Sequence, residues 1–233
     1  MLTTTPEHSR RVATFAGLDN DVVTYCLEYA AIASVKRGEL LMQQGERATF
    51  VYVVRSGYAK LVSTSSDGHE VLAGIAGPRD VFGQAAVIEP EREYLVTATA
   101  LTSMSIATWA RPKALELYKK FPEIHARLDE QMRFNIDILL GRLHTITEGH
   151  VSQRVARVLL ELTHRHGEPR PRGVAILPPL TRQDLAALTG TTLYSVSRLL
   201  ADWEHRGMLA SARGQVEVFD LPALGAIAGG DGN

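Results

Sequence analysis

The chain of 233 residues carries one cysteine, Cys26, which excludes an internal disulfide and any cysteine-built zinc or iron–sulfur cage within a single chain. A buried core thiol is the role expected of it. Long apolar runs are missing as well: nowhere do about 18 apolar residues follow one another. No apolar stretch stands behind Arg10 and Arg11, so no signal peptide is indicated. The expected setting is cytoplasmic, with no membrane partner. An excess of one charge is also lacking, with 25 Lys and Arg against 26 Asp and Glu, so contact with nucleic acid must be a local patch. Histidine is scarce where a metalloenzyme would need it. Val35 to Trp109 holds only His69, whereas a cupin-like site draws several His and carboxylate ligands from neighbouring strands. An enzyme built on this stretch is therefore not expected.

What is present is ordinary globular composition, 45% hydrophobic and 22% charged, in a length that suits two modest domains. Positive charge is concentrated late. From Val151 to Arg213 nine Arg and no Lys face Glu161, Glu168, Asp184, Asp202 and Glu204, a difference of +4. Phe15 to Leu18 predicts a short helix, and Asp21 to Ala33 has helical spacing, with a change of texture at Val35. Short β-type runs then alternate with Gly-bearing turns as far as Trp109. Phe50–Val54 and Tyr58–Val62 read as strands, and Asp67-Gly68 as a hairpin turn. Many short strands at this spacing predict a barrel or jelly-roll sandwich.

After Arg111-Pro112 the period becomes helical again. Lys113 to Lys120 predicts a short helix, and a second, opened by Phe121-Pro122, runs without Gly or Pro to Leu140. Met132, Ile136, Leu139, Leu143 and Ile146 are spaced 4, 3, 4, 3, the pattern of a two-stranded coiled-coil seam. Burying such a stripe gains several kcal/mol at roughly 25 cal/mol per Å², so a homodimer through these residues is expected. Gly141 within the pattern predicts a slight bend or a close helix approach. Ser152 reads as the cap of a helix from Gln153 to His164, and His164 to Gly173 as a turn and solvated loop. No third ligand stands near its histidines, and no metal is assigned.

From Thr181 the sequence reads as two helices joined by a tight turn. Thr181 caps Arg182–Leu188, Thr189-Gly190-Thr191 turns, and Thr192 caps Leu193–His205. A wheel at 100° per residue puts Val196, Leu199, Leu200 and Trp203 inward and Tyr194, Ser195, Ser197 and Arg198 outward. The outward four can all hydrogen-bond and lie on the N-terminal half of the helix that enters a major groove. The planar fork of Arg198 matches guanine O6 and N7. Thr181, Arg182, Gln183 and Thr192, at helix starts, are candidates for phosphate contact. Met208–Ala212 and Gln215–Phe219 flank the turn Arg213-Gly214 as a wing, a last short helix starts at Asp220-Leu221-Pro222, and Gly229–Asn233 reads as a frayed tail.

This order resembles the CRP/FNR family of bacterial transcription regulators from about Phe15 to Leu224. The matching motifs are Phe82-Gly83, the long helix, Ser152-Gln153-Arg154-Val155-Ala156, Leu180-Thr181-Arg182-Gln183-Asp184-Leu185-Ala186, and Val196-Ser197-Arg198-Leu199-Leu200. The resemblance implies an α+β architecture. Residues 1–120 would form a jelly-roll-like β-roll sensor domain, 121–150 a coiled-coil dimerisation helix, and 151–233 a winged helix-turn-helix. Implied partners are a double-stranded DNA operator and a second copy of the chain, with RNA polymerase a further candidate.

The same resemblance places a small effector near Gly83, Gln84, Ala85, Arg92, Tyr94, Leu95, Leu139 and Leu140. Family members of the cyclic-AMP type hold the ribose with Gly-Glu and the phosphate with Arg-Ser. Here Gln84 follows Gly83, and Tyr94-Leu95 stand where Arg-Ser would be, so classical cyclic AMP is not the expected ligand. Arg92, two residues earlier, would be a displaced clamp if the segment were a strand, since an even shift keeps the face. Leu139 and Leu140 occupy places where the family presents hydroxyls to a purine, and an apolar wall disfavours a base edge. One Cys26 excludes the family's iron–sulfur oxygen sensor. A haem sensor is a second reading, with His69, His125, His144, His150 and Met132 as axial-ligand candidates by location. A third is an effector-binding module whose C-terminal helices bind protein rather than DNA. In the recognition helix the family commonly has Glu where Tyr194 stands, so the operator is expected to differ at that base pair, whereas Ser197-Arg198 agrees with the FNR-like pattern.

Overall fold

The computed structural model describes residues 18–68, 70–88, 91–148, 150–212 and 214–230, and the backbone alone at Phe134, Ile138, Leu139 and 141–148. The helix expected at Phe15–Leu18 lies outside them, apart from Leu18. The first helix, α1 (Asn20–Glu28), is capped by the Asp19 carboxylate, which accepts the Asp21 N–H at 3.2 Å. It ends well before Ala33. Ala31–Val35 is strand β1, paired antiparallel with a distant partner, so the helical spacing read through Ala33 is corrected. Ala, Ile and Val fit either period over so short a run, and tertiary pairing decides.

Seven further strands follow: β2 (Leu40–Met42), β3 (Phe50–Ser56), β4 (Ala59–Thr64), β5 (Glu70–Ala76), β6 (Val81–Phe82), β7 (Thr97–Ala100) and β8 (Met104–Ala110), with the short helix α2 (Ala85–Ile88) between β6 and β7. They form two four-stranded antiparallel sheets, ordered β1-β8-β3-β6 and β2-β7-β4-β5. The Asp67-Gly68 turn closes the β4–β5 hairpin, with Thr64 opposite Glu70. Val51 to Val54 are all buried, because helices cover the outer face of the first sheet. These are α1, α3 (Arg111–Lys120) and the start of α4 (Pro122–Glu148), whose Ile124 and Leu128 join the core.

Cys26 sits in this helix–sheet layer, fully buried, and its carbonyl accepts the Trp109 indole N–H at 2.8 Å. Burial pushes its thiol up to about 11. The thiolate is the reactive form, so Cys26 is expected to resist a disulfide reagent at pH 8 and to react fully after unfolding. A thiol titration with and without denaturant checks this.

The remaining elements build the second half: α5 (Val151–His166), β9 (Gly167–Pro169), β10 (Val174–Ile176), α6 (Arg182–Thr189), α7 (Leu193–His205), β11 (Leu209–Ala212), β12 (Gln215–Val218) and α8 (Leu221–Gly229). Two expectations are corrected here. The cap of α5 is His150, whose N–H donates to Gln153 Oε1 at 2.8 Å, and Ser152 lies inside the first turn. The segment after His164 is no loop: the helix continues to His166, and β9 and β10 pair as a hairpin that extends the wing to the order β11-β12-β10-β9. His166 is buried, edge-on to the Tyr58 ring.

The second core gathers Val155, Leu159 and Leu162 of α5 with Leu185, Val196, Leu200 and Trp203. Leu72 and Ile75 of β5 belong to it as well. One β strand is thus shared between the sandwich and the helical half. Among the described residues no helix is long and apolar enough to cross a membrane.

Candidate functional site

Local chemistry fixes the two-helix unit. Thr181 Oγ1 accepts the Asp184 N–H at 3.1 Å while Asp184 Oδ2 accepts the Thr181 N–H at 3.0 Å, a reciprocal box at the start of α6. Gly190, at φ +60°, ends α6 in the left-handed region that glycine tolerates. Thr192 Oγ1 then accepts the Ser195 N–H at 3.1 Å and opens α7. The motif after the long helix anchors this unit. Arg154 Nε donates to the Thr189 carbonyl at 3.0 Å, and Val155 and Ala156 are fully buried.

On α7, Val196, Leu200 and Trp203 are buried and Leu199 is packed against them. Tyr194 is 74% exposed and Arg198 is exposed, with Ser195 and Ser197 half-buried beside them. The structure therefore brings the four outward residues onto one accessible face. Ser195 Oγ lies 3.0 Å from Thr192 Oγ1, so its hydroxyl supports the cap. Arg182, Gln183 and Thr192 are exposed at the helix starts, but the Thr181 hydroxyl donates to Asp184 Oδ2 at 2.6 Å. That leaves the exposed side chains and first-turn N–H groups of α6 as the candidate phosphate donors there.

Asp184 has a second partner that sequence reasoning missed. Lys60 Nζ of β4 reaches Asp184 Oδ1 at 2.7 Å, tying α6 to the sandwich. Burial pushes the Asp184 carboxyl up, but the bonds from Lys60 and Thr181 outweigh it and hold the group below its usual range. A depressed carboxylate stabilises fully above its unfolded pKa and loses that contribution as pH falls through the folded one. The pair is complete at neutral pH.

A cavity of about 270 Å³ lies between the second sheet, α4 and α5. Met42, Leu61, Val81, Phe82, Leu95 and Val96 give it apolar walls. Of the effector candidates, Gly83, Gln84, Ala85, Tyr94 and Leu95 line it. Gly83 adopts φ +79°, and a Cβ there would stand 2.8 Å from the Phe50 carbonyl, so only glycine fits the turn. Tyr94 is buried, with its hydroxyl donating to the Phe50 carbonyl at 3.0 Å and accepting the Phe50 N–H at 2.9 Å. It props the β3 backbone.

Arg92 is exposed and outside the lining. The even-shift argument is corrected because residues 91–96 form no strand; Glu93 makes only an isolated bridge with Arg47. On α4 the described lining residues are Gln131 and Asn135. Leu140 is 49% exposed and does not line the cavity, which corrects its assignment by counting along the helix; the Leu139 side chain lies outside the description. Gln84 and Gln131 both donate to the Val81 carbonyl, at 2.9 and 3.0 Å. Asp80 and Arg165 complete the polar end, their closest approach 3.6 Å. Arg165 carried no local signal, since it reaches the cavity from α5 only through tertiary packing.

His125, His150 and Met132 are exposed, and none of the three lines the cavity. His69 and the His144 side chain lie outside the description. Among the described residues no group of three or more His, Cys, Asp or Glu comes together as a metal site. For the expected seam, Met132 is 40% and Ile136 48% exposed, while the side chains of Leu139, Leu143 and Ile146 are not described.

The fold and its recognition helix define a winged helix-turn-helix DNA-binding protein with an N-terminal cyclic-nucleotide-binding-like domain. Residues 32–121 match the family model of the cyclic nucleotide-binding domain, and residues 153–227 that of the Crp-like helix-turn-helix domain. A CRP-like cAMP-activated global transcriptional regulator of Mycobacterium tuberculosis is 26% identical over 214 residues, covering 92% of this chain and 95% of that protein. The transcriptional activator protein FnrA of Stutzerimonas stutzeri is 26% identical over 196 residues, 84% of this chain and 80% of FnrA. FixK2 of Bradyrhizobium japonicum superposes with a TM-score of 0.71 over 85% of this chain and 96% of its own, at 24% identity, which speaks for the fold. The chain belongs to the CRP/FNR family of transcription regulators, a family of DNA-binding proteins rather than enzymes.

Proposed function

We propose that the chain works as a homodimer that reads a two-part operator, and that a small effector in the β-domain cavity sets the spacing of its two recognition helices. The observation that carries this reading is the accessible row Tyr194, Ser195, Ser197 and Arg198 on a capped, well-anchored helix. The exposed Met132, Ile136 and Leu140 on α4 support the dimer, since large apolar side chains repeated along one helix gain most when a partner covers them. The cavity supports effector control because β5 serves as its wall and as part of the helical core. A ligand there can shift the dimer geometry by its differential affinity for two arrangements. Cyclic AMP is disfavoured as that ligand: the positions of the family's phosphate clamp are Tyr94, engaged with β3, and Leu95, 64% exposed.

Native mass spectrometry and operator affinity test the reading, on full-length protein before and after refolding that strips bound small molecules. A dimer whose operator affinity changes on stripping, and is restored by a metabolite extract, is expected. Stripped protein that binds at full affinity regardless of extract would sink effector control and leave DNA recognition standing. Gly74 lines the cavity, and a Cβ there would meet nothing within 4 Å. Gly74→Leu is therefore expected to fold normally, fill the cavity and abolish the response to extract in the same assay.

A further inference from the structure

We propose that the effector is a small organic acid with an apolar body, and that Arg165, a residue of the DNA-binding half, recognises its carboxylate. This rests on the effector reading above. Arg165 is the one cation among the described residues that line the cavity, and it projects from the last turn of α5. The same helix buries Val155, Leu159 and Leu162 in the core that carries the recognition helix. The group that would hold the ligand is thus fixed to the part that reads DNA.

Two of its ion contacts are long. Arg165 Nη2 lies 3.6 Å from Asp80 Oδ2 and Nη1 lies 3.9 Å from Glu161 Oε1, against about 2.7–2.9 Å for a charge-assisted hydrogen bond. The planar guanidinium fork matches a carboxylate at two points, so a ligand acid can improve on both contacts. Asp80 keeps a donor after such an exchange, because Oδ2 also accepts the Gly77 N–H at 2.8 Å. Glu161 lies one turn back on the same helix and moves with Arg165. The exchange therefore replaces a direct link between the β5–β6 turn and α5 by a link through the ligand. That is the differential interaction an effector needs.

The cavity limits what the acid can be. Its apolar walls suit a hydrocarbon chain or a single ring, and about 270 Å³ lies just under the roughly 300–1,000 Å³ typical of drug-sized ligands. One cation shared with Asp80 is poor provision for a phosphodiester and adequate for one carboxylate.

The test uses the full-length protein with phenylacetate, benzoate and hexanoate, each paired with its neutral primary amide, measured by calorimetry. At least one acid is expected to bind roughly tenfold or more tightly than its amide. Arg165→Gln should reduce that acid to the level of the amide and leave the amide unchanged, while Asp80→Asn, which removes the competing carboxylate, should tighten the acid. A structural role for Arg165 alone would not produce this split. Acids and amides binding equally, with both blocked by Gly74→Leu, would overturn the acid recognition and leave the effector cavity intact. Binding by neither series, with operator affinity also insensitive to metabolite extract, would overturn both.

Discussion

Arg198→Ala is expected to lower affinity for the specific operator by about 1–3 kcal/mol, roughly five- to 150-fold, the worth of one bidentate base contact. Binding to unrelated DNA at the same salt should change far less, because phosphate contacts from other residues supply it. Arg198 is exposed on α7 and buries no core surface, so the melting temperature should stay within a few degrees. Paired titrations of operator and scrambled DNA, with a thermal melt on the same sample, check all three. Equal loss on both DNAs would reduce Arg198 to a phosphate contact. No loss on either would favour protein as the partner of the C-terminal helices.

Ile136→Glu is expected to have the larger effect. Ile136 is 48% exposed in the single chain, so the substitution should leave the protomer folded. In a dimer built on α4, however, it sets two carboxylates against each other inside an apolar seam. Sedimentation should show a monomer, and operator affinity should fall on the order of 10² to 10⁴, the avidity lost when two linked half-site contacts become one. Arg133, exposed three positions earlier on the same helix and outside the seam residues Met132 and Ile136, provides the control: Arg133→Glu should stay dimeric. A dimer that survives Ile136→Glu would place the interface elsewhere.

The recognition unit was legible because its determinants are local. Thr181, Gly190 and Thr192 end and begin helices by their own side chains or conformational freedom, and the inward residues of α7 keep a single period. The observed bounds Leu193–His205 coincide with those read from the sequence. Strand β1 was not legible because so short a run takes its state from β8, far away in the chain, and the three-residue strands β9 and β10 are held by their own hairpin and by the pairing of β10 with the distant β12. The cavity was legible only where a motif marks it. Phe82-Gly83 sits at its wall, whereas Gln131 and Asn135 were displaced by a count along the helix that missed by one to three turns. Arg165, Asp80 and the Lys60–Asp184 pair had no sequence signal at all. Each exists because the β5 face and the helical half pack together, and charge partners 124 positions apart leave no periodic trace.

Under the proposed effector control, that packing is the route by which the cavity would act on the DNA-binding half. Lys60 holds α6, Asp80 faces Arg165 of α5 at 3.6 Å, and Tyr58 packs edge-on to His166. All three β-domain residues lie on or beside the sheet whose β5 strand lines the cavity. A shift in that strand would be taken up first by α6, which packs on both β5 and α7, the helix that carries Arg198, since close-packed interfaces exchange discrete arrangements rather than deform smoothly.

The most direct test of the whole account is selection of duplexes from a random pool by the full-length protein, followed by footprinting on the winning sequence. Two protected major-groove half-sites related by a dyad, with centres about 34 Å apart, one helical turn or a multiple of it, are predicted. A winner with one unrepeated half-site, or a pool that never converges on a sequence, would contradict paired base reading by α7.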